Sequence, residues 1–199
     1  MILTYANQLT ILRMIFIPCF VLLLIYGYLK SATAVFIFAG ITDGLDGLLA
    51  RKLQQKTALG SFLDPMADKL LITSAFVTLT LPSVPVTFHI PIWLTITSIS
   101  RDLLIALAVL IIHLHTGHTQ FPPSFLGKCT TTAQLVTVGA ALVGHFHPGF
   151  GMEIFPPVVY STLALTVVSG LHYFYRSVQI IERYQRPDAA NGGARHQGP

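Results

Sequence analysis

The chain has 199 residues, of which 53% are hydrophobic and 10% are charged, and its formal net charge is +4. A soluble domain usually carries about 25% charged residues, so this composition excludes an ordinary soluble protein and predicts an integral membrane protein. The modest positive charge requires no nucleic-acid partner.

Long apolar runs predict six membrane-spanning helices, because about 20 apolar residues are needed to cross a bilayer. In chain order they cover approximately residues 8–28, 31–50, 62–82, 90–113, 128–146 and 156–176. The connections at 84–91 and 147–157 contain Pro and Gly and are expected to be turns. The predicted fold is therefore an all-α six-helix membrane domain over residues 1–182, followed by a polar, disordered tail at 183–199.

Basic residues predict the orientation of these helices. Arg51, Lys52 and Lys56 lie between the second and third spans, and more arginines follow the sixth, whereas the opposite side offers only Lys30. Since cytoplasmic loops are enriched in Lys and Arg, we expect both termini and the 51–60 connection to be cytoplasmic. The N-terminus lacks a basic start, so we expect no cleavable signal peptide.

Four aspartates lie in residues 43–68 of a chain that is otherwise poor in charge. Asp43 and Asp46 are three residues apart, and Asp64 and Asp68 are four apart, so each pair lies on one helix face. Because the connection between them is short, the four carboxylates can converge at one depth near the cytoplasmic surface. A solvated acidic face is the alternative, but acids inside membrane spans are functional candidates by default.

Four neighbouring carboxylates repel one another unless cations offset their charge. Lysines nearby could do so, but hard oxygen ligands without His or Cys are better suited to divalent ions such as Mg²⁺ or Mn²⁺. Four carboxylates are enough to hold two ions, the arrangement that clamps a phosphate during displacement. Gly47, Ala50 and Gly60 lie beside the aspartates and leave room for a ligand, although small residues also let helices pack closely.

The same stretch resembles the signature of the CDP-alcohol phosphotransferase family, D-x2-D-G-x2-A-R-x8-G-x3-D-x3-D. All eight fixed residues are present at the family spacing: Asp43, Asp46, Gly47, Ala50, Arg51, Gly60, Asp64 and Asp68. The six predicted spans, with the signature across the second and third, also match the family architecture. The resemblance implies an enzyme that transfers the phosphoalcohol part of a CDP-alcohol to a second alcohol and releases CMP.

The resemblance also implies roles for individual residues. Asp43, Asp46 and Asp64 would be metal ligands, and Asp68 would be a ligand or the general base. The CDP site would contain Gly47, Ala50, Arg51 and Gly60, bordered by Asn7 and Thr10 of the first span. Arg13 lies on the same helix face as Asn7 and Thr10. The alternative to a role of this face in the nucleotide site is an ordinary helix start, with Arg13 as a cation at the membrane end. The implied substrates are CDP-diacylglycerol and an alcohol, and the family often forms homodimers.

Two further cations indicate the acceptor. Arg101 lies inside the fourth span and Lys128 opens the fifth, which suits an acceptor that carries its own phosphate, such as glycerol 3-phosphate. Arg101 could instead be a structural partner of an aspartate, although Asp102 is expected to point about 100° away on a helix. Lys128 could instead be an anchor at the membrane end.

The family contains more than one acceptor specificity. The stretch NQLTILR (7–13) is similar to the opening of bacterial phosphatidylglycerophosphate synthases, which predicts a bacterial inner membrane location. The pair Arg101–Asp102, followed by Gly127–Lys128 and a Thr-rich helix, is similar to single-domain cardiolipin synthases, which use phosphatidylglycerol. An inositol phosphate acceptor is a third alternative. Outside the enzyme class, a divalent-cation transporter or an inactive lipid-binding scaffold could also carry membrane acids.

Overall fold

The computed structural model is all-helical in the part of the chain that it describes, which is residues 5–53, 58–116 and 125–185. Side chains are described for residues 12–42, 66–111, 114 and 125–179. The helices are α1 (Tyr5–Ile25), α2 (Leu29–Leu53), α3 (Ala58–Thr80), α4 (Ile92–Thr116), α5 (Phe125–Phe146) and α6 (Pro148–Gln185). Each corresponds to one predicted span, so the helical class and the order of the elements are confirmed. Residues 186–199, most of the predicted tail, lie outside the described residues.

A glycine turn separates α1 from α2, three residues earlier than the sequence predicts. Gly27 has a φ of 78°, a left-handed conformation that a side chain disfavours. Its N–H donates to the Leu24 carbonyl at 3.1 Å, and the Tyr28 N–H donates to the Leu23 carbonyl at 2.8 Å. These two bonds form a Schellman cap, which satisfies the last carbonyls of α1 and ends the helix.

The predicted turn at 147–157 is wrong, because α6 already begins at Pro148 and only His147 separates it from α5. Proline is favoured in the first helical turn, where its missing N–H costs no hydrogen bond. Pro156 and Pro157 lie inside α6, and helices in apolar surroundings tolerate internal proline when neighbouring groups satisfy the freed carbonyls. The Gly151 N–H donates to the His147 carbonyl at 2.9 Å, which carries the hydrogen bonding through the corner.

Phe88, from the connection between α3 and α4, is inserted into this corner. A Cβ added to Gly151 would lie 2.4 Å from Phe88 Cε2 and 2.8 Å from the Gly144 Cα. Glycine at 144 and 151 therefore makes the space that the ring occupies. The Phe88 ring also packs against Phe155, with ring centroids 5.4 Å apart.

The helices pack as two groups, joined mainly through α3 and also by a smaller contact between α2 and α5. Helix α1 lies against α2 and α3, α6 lies against α5 and α4, and α3 also contacts α4 and α5. Between α5 and α6, the hydroxyls of Thr137 and Thr162 are 2.8 Å apart and buried. The apolar core runs through both groups and includes Phe20, Leu24, Ile72, Phe76, Leu79, Leu94, Val138 and Leu142.

The outward surfaces of several helices are apolar. Leu103, Leu104 and Leu107 of α4 are exposed, as are Leu171 and Phe174 of α6. Among the described residues, two helical segments are long and apolar enough to cross a membrane, Ile92–Ile111 and Pro148–Gln179, and Leu12–Ile25 and Leu29–Thr42 are shorter apolar segments. Exposed apolar patches of this extent indicate contact with lipid or with another protein.

Candidate active site

The four aspartates occupy matched positions on α2 and α3. Asp43 lies ten residues before the end of α2 at Leu53, and Asp68 lies ten residues after the start of α3 at Ala58. At 1.5 Å per residue, each lies about 15 Å along its helix from the α2–α3 connection. Asp46 and Asp64 lie closer to that connection by a similar amount. The register is therefore compatible with two layers of carboxylates, although the side chains of Asp43, Asp46 and Asp64 lie outside the described residues.

Asp68 is held by an arginine from the first helix. The Arg13 Nη1 of α1 donates to Asp68 Oδ1 of α3. The Arg13 side chain is 1% exposed and the Asp68 side chain 36% exposed, so the cation is buried whereas the carboxylate retains access from one side. A charge-assisted hydrogen bond of this kind fixes the orientation of the carboxylate.

Arg101 lies at the centre of a second charged cluster. Its Nη1 donates to Asp102 Oδ1 at 2.7 Å, and its Nη2 donates to the Ser169 hydroxyl of α6. The guanidinium also lies over the ring of Tyr173, with 5.7 Å from Cζ to the centroid, a geometry that is favourable for a cation and an aromatic ring. Asp102 in turn accepts from Lys69 Nζ of α3 at 2.7 Å.

The expectation that Asp102 points away from Arg101 is wrong. Neighbouring residues do diverge by about 100° on a helix, but the long arginine side chain bends back and reaches the carboxylate. Sequence reasoning also missed Ser169 and Tyr173 as partners of Arg101. Their spacing of four places both on one face of α6, and a polar residue inside the apolar run VVSGLHYFY was the available signal.

Lys128 lies on a groove between α5 and α6. Its side chain is exposed, and the groove has a volume of about 490 Å³ with mostly apolar walls. The groove is lined by Phe125, Lys128, Cys129, Thr132, Ala133, Val136, Val158, Ser161, Thr162 and Leu165. Arg101, in contrast, is 7% exposed and bonded to α6, so the two predicted acceptor residues have different surroundings.

The other predicted site residues are placed only by their helices. Asn7 and Thr10 lie on α1, Gly47, Ala50 and Arg51 lie on α2, and Gly60 lies on α3; their side chains are outside the described part. Among the described side chains, no three His, Cys, Asp or Glu residues cluster as a metal site would require. The donor set itself fits hard divalent cations, since it consists of carboxylates alone.

Comparison with known proteins decides what these residues belong to. The family model described as CDP-alcohol phosphatidyltransferase matches residues 3–170, which includes α1 to α5, the first part of α6 and every predicted site residue. The chain belongs to the CDP-alcohol phosphatidyltransferase family. The family assignment made from the signature is thereby confirmed.

Three relatives of this phosphatidyltransferase family member carry two different names between them. It is 33% identical to the human cardiolipin synthase (CMP-forming) over 90% of this chain, but it spans only 64% of the length of that relative. It is 34% identical to CDP-diacylglycerol–glycerol-3-phosphate 3-phosphatidyltransferase of Bacillus subtilis, over 88% of this chain and 96% of that protein. A protein of the latter name from Pseudomonas fluorescens is 42% identical over 50% of this chain and 51% of its own length.

Proposed function

We propose that this protein is a CDP-diacylglycerol-dependent phosphatidyltransferase of phospholipid biosynthesis. It transfers the phosphatidyl group to an alcohol, with glycerol 3-phosphate as the first candidate, and it releases CMP. The observation that carries this proposal is the complete eight-residue signature, whose four aspartates lie on α2 and α3 at similar numbers of residues from the α2–α3 connection. Similarity along 96% of the Bacillus subtilis glycerol-3-phosphate enzyme supports the choice of acceptor.

The proposal includes a location. All six helices span the bilayer, both termini and the α2–α3 connection face the cytoplasm, and the protein resides in a bacterial inner membrane as a homodimer. The exposed leucines of α4 support the membrane assignment, and the excess of Lys and Arg near residues 51–56 and after residue 175 supports the orientation. The cytoplasmic orientation brings the aspartates to the side where water-soluble CMP can leave.

Asp43, Asp46, Asp64 and Asp68 would hold two Mg²⁺ or Mn²⁺ ions. When bound, these ions would neutralise the pyrophosphate of CDP-diacylglycerol and stabilise the charge on the leaving oxygen. Gly47, Ala50, Arg51 and Gly60, with Asn7 and Thr10, would surround the CDP group.

The transfer itself is an in-line displacement at the lipid-bearing phosphorus. The acceptor hydroxyl oxygen forms a bond to this phosphorus, and the bond to the bridging oxygen breaks, so that CMP departs with that oxygen. Asp68 takes the hydroxyl proton, which is the work of a general base. Arg13 holds the Asp68 carboxylate in one orientation for this step.

A second candidate acceptor is phosphatidylglycerol, which would make the protein a cardiolipin synthase. Two observations favour it: the 33% identity to human cardiolipin synthase over 90% of this chain and the Arg101–Asp102 pair, which is bonded in the structure. The apolar groove beside Lys128 is also suited to a lipid with an anionic headgroup.

A divalent-cation transporter is the rival outside the enzyme class. A transport path needs polar groups through the full depth of the membrane. Partly buried hydroxyls do continue past the charged residues, as in the 2.7 Å contact between Thr80 and Thr95. Carboxylates do not form a continuous series along α3 and α4, because residues 69–101, between Asp68 and Asp102, contain no Asp or Glu. Glu153 at the start of α6 is exposed. This favours the enzyme.

Purified protein in detergent, radiolabelled CDP-diacylglycerol and a panel of acceptors test the proposal. We expect CMP release that requires one acceptor, with glycerol 3-phosphate giving phosphatidylglycerophosphate. Release with phosphatidylglycerol instead would establish the second candidate, and an inositol phosphate is included as a third arm. Metal flux into proteoliposomes without CMP release from any acceptor would contradict the enzyme and support the transporter.

A further inference from the structure

Helix α3 is held on two sides at consecutive residues. Asp68 pairs with Arg13 of α1, and Lys69 pairs with Asp102 of α4 at 2.7 Å. Since consecutive residues of a helix diverge by about 100°, these two ion pairs act in different directions around the α3 axis. Together they define the rotation of α3 at the level of Asp68.

The pair on the α4 side is itself anchored. Asp102 accepts from the buried Arg101 at 2.7 Å, and Arg101 is bonded to Ser169 and lies over Tyr173, both on α6. The Arg101 side chain is 7% exposed, so little space remains for it to change position. A continuous series of polar contacts therefore runs from α6 through α4 to α3 and ends beside Asp68.

We propose that the Lys69–Asp102 pair is a positioning device for Asp68. The pair sets the rotation of α3, so that the Asp68 carboxylate is presented to the acceptor hydroxyl and to the metal ions. Lys69 and Asp102 need not touch substrate in this role. The inference rests on the proposed function, since it concerns the placement of Asp68 in that reaction.

The burial of the pair supports a geometric role over one in stability. The Lys69 side chain is 38% exposed and that of Asp102 is 21% exposed. Partly exposed ion pairs contribute little to stability, whereas small displacements of a catalytic group reduce turnover strongly. Loss of the pair should therefore change the catalytic rate more than it changes unfolding.

The test replaces Lys69, because Lys69→Gln removes the contact to α3 and leaves the Arg101–Asp102 pair in place. We expect kcat for CMP release to fall about tenfold, with the KM for the acceptor and the melting temperature close to those of the wild type. Lys69→Arg keeps the charge and the reach and should restore kcat to within about twofold. Lys30→Gln removes an exposed lysine at the start of α2 and is the matched control, with unchanged kcat.

Asp102→Asn provides a second variant. It should lower kcat at least as much as Lys69→Gln, because it weakens the Arg101–Asp102 pair as well as the Lys69–Asp102 pair. The double variant with Lys69→Gln should lose little more than Asp102→Asn alone, because Asp102→Asn already disrupts the contact to Lys69. Binding of Mn²⁺, followed by electron paramagnetic resonance, reports the placement of Asp68 without turnover. We expect weaker Mn²⁺ binding in Lys69→Gln and wild-type binding in Lys69→Arg.

The two proposals fail in different ways. A wild-type kcat and wild-type Mn²⁺ binding in Lys69→Gln, together with an active wild-type enzyme, would overturn the positioning role alone. A loss of kcat that is fully additive in the double variant would also overturn it. A wild-type protein that releases no CMP with any acceptor and binds no Mn²⁺ would contradict the proposed function, and the positioning role with it.

Discussion

The corner between α5 and α6 is held by different interactions from the charged layer around Asp68. This layer consists of the ion pairs among Arg13, Asp68, Lys69, Arg101 and Asp102. At the corner, the Phe88 ring fills the space left by Gly144 and Gly151. The dispersion contacts of this ring depend on shape. Neutral hydrogen bonds accompany them, since the Gly151 N–H donates to the His147 carbonyl and the Thr87 hydroxyl lies 2.9 Å from His145 Nδ1. In the charged layer, Arg13 and Arg101 are buried and are held by carboxylates and by a hydroxyl.

The difference indicates that the corner contributes to stability and that the charged layer contributes to function. Burying an ion pair costs about as much desolvation energy as its attraction returns, so apolar replacements are often neutral or stabilising. Arg13–Asp68 is therefore weak evidence for stability and stronger evidence for function. The described contacts at the corner between α5 and α6 include no ion pair, and they serve packing.

Removal of divalent metal is expected to separate the two regions most clearly. Chelation with EDTA should abolish CMP release, and Mg²⁺ or Mn²⁺ should restore it, because four carboxylates cannot otherwise approach the pyrophosphate of the substrate. The packing of α4 against α6 should be unaffected. CMP assays and the fluorescence of Trp93, whose ring in α4 stacks on Tyr160 of α6, measure the two responses on one sample. Full activity after exhaustive chelation would contradict the metal site.

The Asp68→Asn variant should have the next largest effect. Asparagine retains a hydrogen-bond acceptor for Arg13 but is not a base, so turnover should fall about 10²- to 10⁴-fold while CDP-diacylglycerol binding persists. Equilibrium binding of a labelled CDP-lipid and single-turnover CMP release distinguish these two quantities. A variant with a near-normal rate would remove Asp68 from the role of general base.

The sequence predicted the part of the molecule that depends on local pattern. Apolar runs located all six helices, and the fixed spacing of the eight signature residues placed the aspartates on α2 and α3. Apolar runs and fixed spacings of this kind can be read from residues within a few consecutive turns of one helix. The acidic pairs are three and four residues apart, and helical geometry alone puts each pair on one face.

Long-range contacts could not be predicted in the same way. Arg13 meets Asp68 across 55 positions, and Arg101 meets Ser169 across 68, so helix packing and not sequence spacing creates them. The start of α6 was missed because Pro and Gly at 148–151 are typical of turns, and they are accommodated here by the first helical turn and by Phe88. Asp102 was expected to point away from Arg101 because neighbouring helical residues diverge, and this expectation failed because the flexible arginine side chain spans that angle.

The Gly151→Ala variant should show the smallest of the three effects and should act on stability alone. The new methyl group would lie 2.4 Å from the Phe88 ring and 2.8 Å from the Gly144 backbone, so the corner must open, at a cost of about 1–3 kcal/mol. Gly139→Ala on α5 is the matched control, since nothing lies within 4 Å of its new methyl group and alanine favours a helix. Thermal unfolding in detergent should therefore show a lower midpoint for Gly151→Ala and an equal or higher one for Gly139→Ala, with kcat per folded molecule unchanged in both. A loss of kcat in Gly151→Ala at full stability would mean that the corner communicates with the charged layer, and the separation between the two regions would be wrong.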